Sequence, residues 1–221
     1  MSNSDRQARQ VQWPVWSGLG LIVLTVLAAV ALAWLRFHRA EAKPLPVVGP
    51  IADFSLTNQN GRTFSLANFR GRVWVADIIF TRCPGPCLKM TRQMRDLQDA
   101  LPPGSQAKLV SLTTDADYDT PQVLKAYAER FGADQERWVF LTGTKQEIAK
   151  LAIDSLKLTA IAKKPEERQS PQDLFVHSTI FVVADKQARL RGVFETTGEG
   201  IDPHDVQAQI LAAVRQLERE Q

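Results

Sequence analysis

The stretch "RVWVADIIFTRCPGPCLKM", Arg72 to Met90, holds two structural patterns back to back. Arg72 to Phe80 is a nearly continuous apolar run, bounded by Gly71 and by the Pro84-Gly85-Pro86 turn, as expected of a central strand buried on both faces. Beyond the turn, Met90, Met94, Leu97 and Leu101 recur at steps of four, three and four. That spacing predicts one face of a helix, ending at Pro102-Pro103. The two cysteines of the 221-residue chain, Cys83 and Cys87, sit at the junction.

Outward from this junction, strand and helix patterns alternate. "AKLVSLT", Ala107 to Thr113, reads as a second core strand, and Thr120-Pro121 caps and starts a helix reaching Phe131 and Gly132. "RWVFLTG" is a third strand, and Thr144 with Glu147 forms a capping box that opens a helix to about Leu156. Lys163 to Asp173 is polar and reads as a long loop. "LFVHSTIFVVAD" and "ARLRGVFE" pair as a hairpin around residues 185–187, and Asp202-Pro203 starts a last helix whose inner face carries Val206, Ile210, Val214 and Leu217. Upstream, two short alternating runs flank Asn60-Gly61, a strong hairpin signal. With right-handed crossovers, this order predicts an α/β fold: a sheet covered by helices on both faces.

The N-terminal part has another character. Val15 to Leu35 contains 21 residues without a charge, framed by Trp13, Trp16 and Trp34, which is long enough to span a bilayer of about 30 Å. The apolar run exceeds that of an ordinary signal peptide, for which Ala40-Glu41-Ala42 offers only a weak cleavage site. No cysteine follows it that could carry a lipid. The expected organisation is a short tail over 1–14, a transmembrane anchor over 15–35, a proline-rich tether over 36–50 and a folded domain over 51–221, with the domain on the outer, periplasmic side of the cell membrane. Arg6, Arg9, Arg36, Arg39 and Lys43 against Asp5 and Glu41 account for the chain's whole formal charge of +3, so the domain is neutral. It lacks the basic stripe that nucleic-acid binding draws on.

A thiol in a turn that opens a helix faces unpaired backbone N–H groups and the positive end of the helix dipole, and Arg82 and Lys89 add positive charge. Three residues separate the cysteines, one more than in a plain thioredoxin-type site. That spacing lets both sulfurs converge on one soft ion, copper(I) or zinc, and still permits a redox-active disulfide without it. A further ligand must be histidine, carboxylate or methionine. His38 lies beside the anchor, His204 reads as an exposed helix-start residue, and Met90 belongs to the helical core stripe. His177 interrupts an apolar run where a strand begins after the longest loop. Asp77 is a carboxylate inside the predicted central strand, placed to trade protons with a thiol.

These residues resemble the Sco/SenC family of membrane-anchored copper proteins. The resemblance runs from about Val47 to Glu218 and rests on "NFRGRVWVADIIFTRCPGPC", on "DTPQVLKAYAERFG" from Asp119, on "WVFLTG" and on "VHSTIFVVAD". It implies a thioredoxin-like fold and one copper ion, Cu(I) or Cu(II), bound by Cys83, Cys87 and His177. It also implies a role in assembling the copper centre of cytochrome c oxidase, with the copper-bearing subunit or another copper protein as partner. The chain departs from the family pattern at Leu88, where proline is usual, and at Ala116 and Tyr118, where proline and a basic residue are expected. Asp77, six residues before Cys83, matches the buried aspartate of thioredoxins. The competing expectation is an exported thiol-disulfide oxidoreductase in which Cys83 attacks and Cys87 resolves.

Overall fold

The computed structural model describes residues 20–32, 44–83, 85–168 and 174–220, with backbone alone at 160, 161, 176 and 177. It divides into two units, Met1–Pro44 and Leu45–Gln221. Apart from Pro44, the described part of the first unit is an exposed helix, α1, over 20–32. The remainder of the expected 15–35 span lies outside the described residues, and among these no helix is long and apolar enough to cross a membrane.

The second unit is built on an eight-stranded mixed sheet. In chain order its strands are β1 (Gly49–Pro50), β2 (Ser55–Asn58), β3 (Thr63–Ser65), β4 (Trp74–Ile79), β5 (Lys108–Thr113), β6 (Trp138–Thr142), β9 (Ile180–Ala184) and β10 (Arg189–Glu195), while β7 (Ala160–Ala162) and β8 (Phe175–His177) form a separate pair. The spatial order is β1-β10-β9-β4-β5-β6-β2-β3, with β4, β5 and β6 parallel and β9 antiparallel to β4. All six residues of β4 are buried, because the strand is central and covered on both faces.

The pleat of β4 divides the core. Val75 and Ile79 face a layer formed with α2 (Pro86–Ala100), α3 (Pro121–Arg130) and α5 (Pro203–Arg219), in which Met90, Met94, Leu97, Leu124, Ile210 and Val214 are buried. Trp74, Ala76 and Ile78 face the other layer, closed by Ile148 of α4 (Lys145–Ala149) and by Leu151 and Ala152. Each fully buried Leu, Ile, Val or Met side chain in these layers contributes about 1.5–3 kcal/mol. Both cysteines lie in the first layer, so the functional turn is continuous with the core.

Four details depart from the expected architecture. The Asn60-Gly61 hairpin forms, with Gly61 at φ +73°, but it does not precede the sheet: β2 pairs antiparallel with β6 and makes β2-β3 one edge of it. The chain also joins the sheet before residue 51. β1 pairs with β10, and the guanidinium of Arg191 donates to the Leu45 and Pro46 carbonyls. The run "LFVHSTIFVV" is not one strand but two, because the Ser178 N–H bonds to the Thr159 carbonyl while the Thr179 carbonyl accepts from the Thr196 N–H, pulling β8 and β9 onto different partners. Finally, the helix opened by Thr144 widens into a π-helix over Lys150–Ser155, which keeps Leu151, Ala152 and Ser155 on the buried side.

Candidate metal and dithiol centre

The cysteine turn begins where β4 ends. Phe80 to Cys83 is a β-turn closed by the Cys83 N–H on the Phe80 carbonyl at 3.2 Å, and it leads to α2, with Pro86 and Cys87 in the first helical turn. Proline suits that place because its missing N–H is one the helix would leave unpaired anyway. Both cysteines are buried thiols in hydrogen-bond contact with each other. Contact between the sulfurs is the geometry from which either shared metal coordination or a disulfide is reached.

Their electrostatics differ from the expected activation. The Cys87 thiol is pushed far above its ordinary pKa, first by its hydrogen bond with Cys83, then by burial and by the charge of Cys83; Asp77 adds to the rise, and a bond with the Phe80 backbone acts in the opposite sense. Burial and the second sulfur outweigh the helix terminus. Nor does Arg82 turn to the thiols: its guanidinium donates twice to Asp115 Oδ2 and lies over the Tyr118 ring at 4.0 Å.

Asp77 is fully buried on β4, on the face shared with Val75 and Ile79, and its charge acts on both Cys87 and Tyr127. It therefore lies in the dithiol layer. The Thr91 hydroxyl donates to the Cys87 carbonyl at 2.8 Å and is 2.9 Å from the Tyr127 hydroxyl, which connects α3 to the turn carrying Cys87. Burial, partly offset by Thr91, raises the Tyr127 pKa well above its ordinary value and keeps it neutral.

His177 is placed by its backbone as the last residue of β8, opposite Ala160 of β7; its imidazole lies outside the described residues. The strand itself reaches the cysteine turn, since Phe175 packs edge-to-face on Phe80 at 5.2 Å. Among the described residues no group of three His, Cys, Asp or Glu side chains converges as a metal site. His204 is exposed in the first turn of α5 and Met90 is buried in the core, as the sequence predicts. His38 lies outside the described residues.

Sequence reasoning did not find the residues that fasten the cysteine turn. Asp119, fully buried, accepts from the Thr81 N–H at 3.1 Å and from the hydroxyls of Thr81 and Thr113. The signal was the density of hydroxyls and carboxylates in "TTDADYDTP", which spacing alone does not connect to a turn more than thirty residues upstream. A groove of about 400 Å³ opens beside this region, lined by Arg82, Asp115, Lys145, Ile153 and Phe175 among others.

Comparison with known proteins gives a consistent result. The model of the SCO1/SenC family matches residues 47–215. A SCO1 protein homolog of Bacillus subtilis (strain 168) is 37% identical over 138 residues, covering 62% of this chain and 68% of its own. The structure of BsSco, described as a member of the Sco family of cytochrome c oxidase assembly proteins with a disulfide switch, superposes with a TM-score of 0.63 at 29% identity, over 79% of this chain and 99% of its own. Yeast Sco1 with copper bound superposes with a TM-score of 0.61 at 23% identity, over 77% and 90% of the two chains, a likeness of fold. The mixed α/β sheet described above is the thioredoxin-like fold of these structures.

Proposed function

The chain belongs to the SCO1/SenC family, and on that premise we propose that it is a membrane-anchored copper-binding protein that assists assembly of the copper centre of cytochrome c oxidase, holding one copper ion on Cys83, Cys87 and His177. The observation that carries this reading is the hydrogen-bonded contact of two buried thiols on a turn against which the His177-bearing strand packs, through Phe175 and Phe80. Thiolate sulfurs are soft donors, suited to copper(I) rather than to hard, oxygen-preferring ions, and an imidazole extends the set to one that also accepts copper(II). Asp77, buried near the thiols, is the proposed proton relay when they lose or regain protons. BsSco, with its disulfide switch, supports a second reading, a thiol-disulfide oxidoreductase acting on partner cysteines. His177 separates the two, since dithiol exchange does not require an imidazole.

The test is His177→Ala in the full-length protein. Loss of this ligand is expected to lower copper affinity by about one to two orders of magnitude or more and to abolish the copper(II)-thiolate charge-transfer band, while dithiol exchange with glutathione continues. Unchanged affinity and spectrum would overturn the ligand assignment.

The anchor is tested separately. Residues 15–35 are apolar and uncharged over a spanning length, so the protein is expected to remain with the membrane after alkaline carbonate washing, and externally added protease is expected to digest the folded unit in spheroplasts. Release by carbonate would refute the span, and full protection from protease would refute the outward orientation.

A further inference from the structure

Both middle residues of the turn that delivers Cys83 are held by carboxylates from one loop. Thr81, the first of them, gives its backbone N–H and its hydroxyl to Asp119, and Arg82, the second, gives two N–H groups to Asp115 Oδ2, one at 3.0 Å. The loop is itself tightly made. Thr113 Oγ1 donates to Asp119 and accepts from the Asp115 N–H, the N–H groups of Tyr118 and Asp119 both bond to the Asp115 carbonyl, and the Thr114 N–H bonds to the Ile79 carbonyl of β4. Asp119 is then followed at once by Thr120, which caps α3. Seven residues further along, Tyr127 of α3 meets Thr91, whose hydroxyl bonds to the Cys87 carbonyl. One rigid piece, the 113–119 loop with α3, thus braces both cysteine-bearing segments, at Thr81 and Arg82 on one side and at Thr91 on the other.

We propose that Asp119, seconded by Asp115, is a positioning residue of the centre: it holds the Phe80–Cys83 turn so that the Cys83 thiol stays buried against Cys87. A two-residue turn centre has little to restrain it but its own closing bond. Asp119 supplies that restraint through hydrogen bonds that its two oxygens accept from Thr81 and Thr113, and Asp115 adds charge-assisted bonds from Arg82, the stronger kind. The proposal rests on reading Cys83 and Cys87 as the working pair, but its test uses metal-free thiols, so a failure to bind copper and a failure of the latch are separate results.

The experiment is alkylation of the metal-free, reduced full-length protein with a neutral thiol reagent, with each cysteine followed by peptide mass spectrometry. Asp119→Ala is expected to speed modification of Cys83 at least about tenfold, through the loss of the three hydrogen bonds that Asp119 accepts, while Cys87, fully buried in the first turn of α2, stays protected. Asp119→Asn, whose oxygen can still accept from the Thr81 N–H and the Thr113 hydroxyl and whose amide can donate to the Thr81 hydroxyl, is expected to restore the slow rate. Asp185→Asn, which loosens a buried ionic cluster at another corner of the fold, is expected to leave the Cys83 to Cys87 ratio as in the parent. An unchanged Cys83 rate in Asp119→Ala, or equal acceleration of both cysteines, would overturn the proposal. If Asp119→Ala does not fold, Thr81→Val decides by removing one hydroxyl bond: selective acceleration of Cys83 supports the latch and no acceleration refutes it.

Discussion

Replacing Cys87 with serine is expected to lower copper(I) affinity by more than about two orders of magnitude. Removing even an outer partner of a ligand commonly costs about 10- to 100-fold, and here a soft first ligand is exchanged for a hydroxyl that copper(I) disfavours. Cys87 is buried in the first turn of α2 with its carbonyl tied to Thr91, which holds the backbone at this position in place. Titration against a chromophoric copper(I) chelator measures the loss, and an affinity within a few-fold of the parent would refute the role of Cys87. The same site makes the parent's affinity depend on pH. Because Cys83 and burial raise the Cys87 pKa, copper must displace a thiol proton, and apparent affinity is expected to rise by about tenfold per pH unit for each proton released. Oxidation to the Cys83-Cys87 disulfide removes both sulfurs as thiolate ligands and is expected to abolish binding altogether.

The largest loss of stability is expected at Arg191. Its guanidinium, 4% exposed, donates to Asp185 and Glu220 at 2.8 Å each and to the carbonyls of Leu45 and Pro46, so it joins the start of the folded unit, the β9-β10 turn and the end of α5. Arg191→Leu fills much of the space but leaves the Asp185 carboxylate, itself 2% exposed, with Arg189 as its remaining guanidinium partner. Removing one member of a buried ion pair typically costs about 3–5 kcal/mol, so denaturant unfolding of the variant should show a loss of that order; a change below about 1 kcal/mol would refute the reading. Acid acts on the same cluster. Burial opposes ionisation of Asp185, but bonds from Arg191 and from the backbone and guanidinium of Arg189 prevail and hold its pKa below the usual carboxylate value. A carboxylate depressed in the folded state contributes its full stability above the unfolded value of about 4 and loses it as pH falls through the folded one. Arg191→Leu is therefore expected to reduce the dependence of stability on pH below about 4.

Where one element carried its own periodicity, the sequence was enough. β4 declared itself by an apolar run between Gly71 and the proline turn, and α2 by Met90, Met94 and Leu97 on one face, because burial of a central strand and of a helix stripe imposes those periods directly. The break between β8 and β9 carried no such mark. "LFVHSTIFVV" has no proline or glycine to divide it, and the division comes from hydrogen bonds to Thr159 and Thr196, 17 or more residues away.

The same boundary runs through the site. Sequence alone placed Cys83 and Cys87 between a buried strand and a helix at a spacing that permits both sulfurs to converge, and it singled out His177 and Asp77 as polar residues inside apolar runs. Only the tertiary structure decided how the thiols behave. Burial and mutual contact hold the Cys87 proton against a helix terminus that by itself favours its loss, and Arg82 is turned from the sulfurs to Asp115. Asp119 became visible as the grip on Thr81 once β4 and β5 lay side by side, because a hydrogen bond across 38 residues depends on the sheet register and leaves no period in the chain.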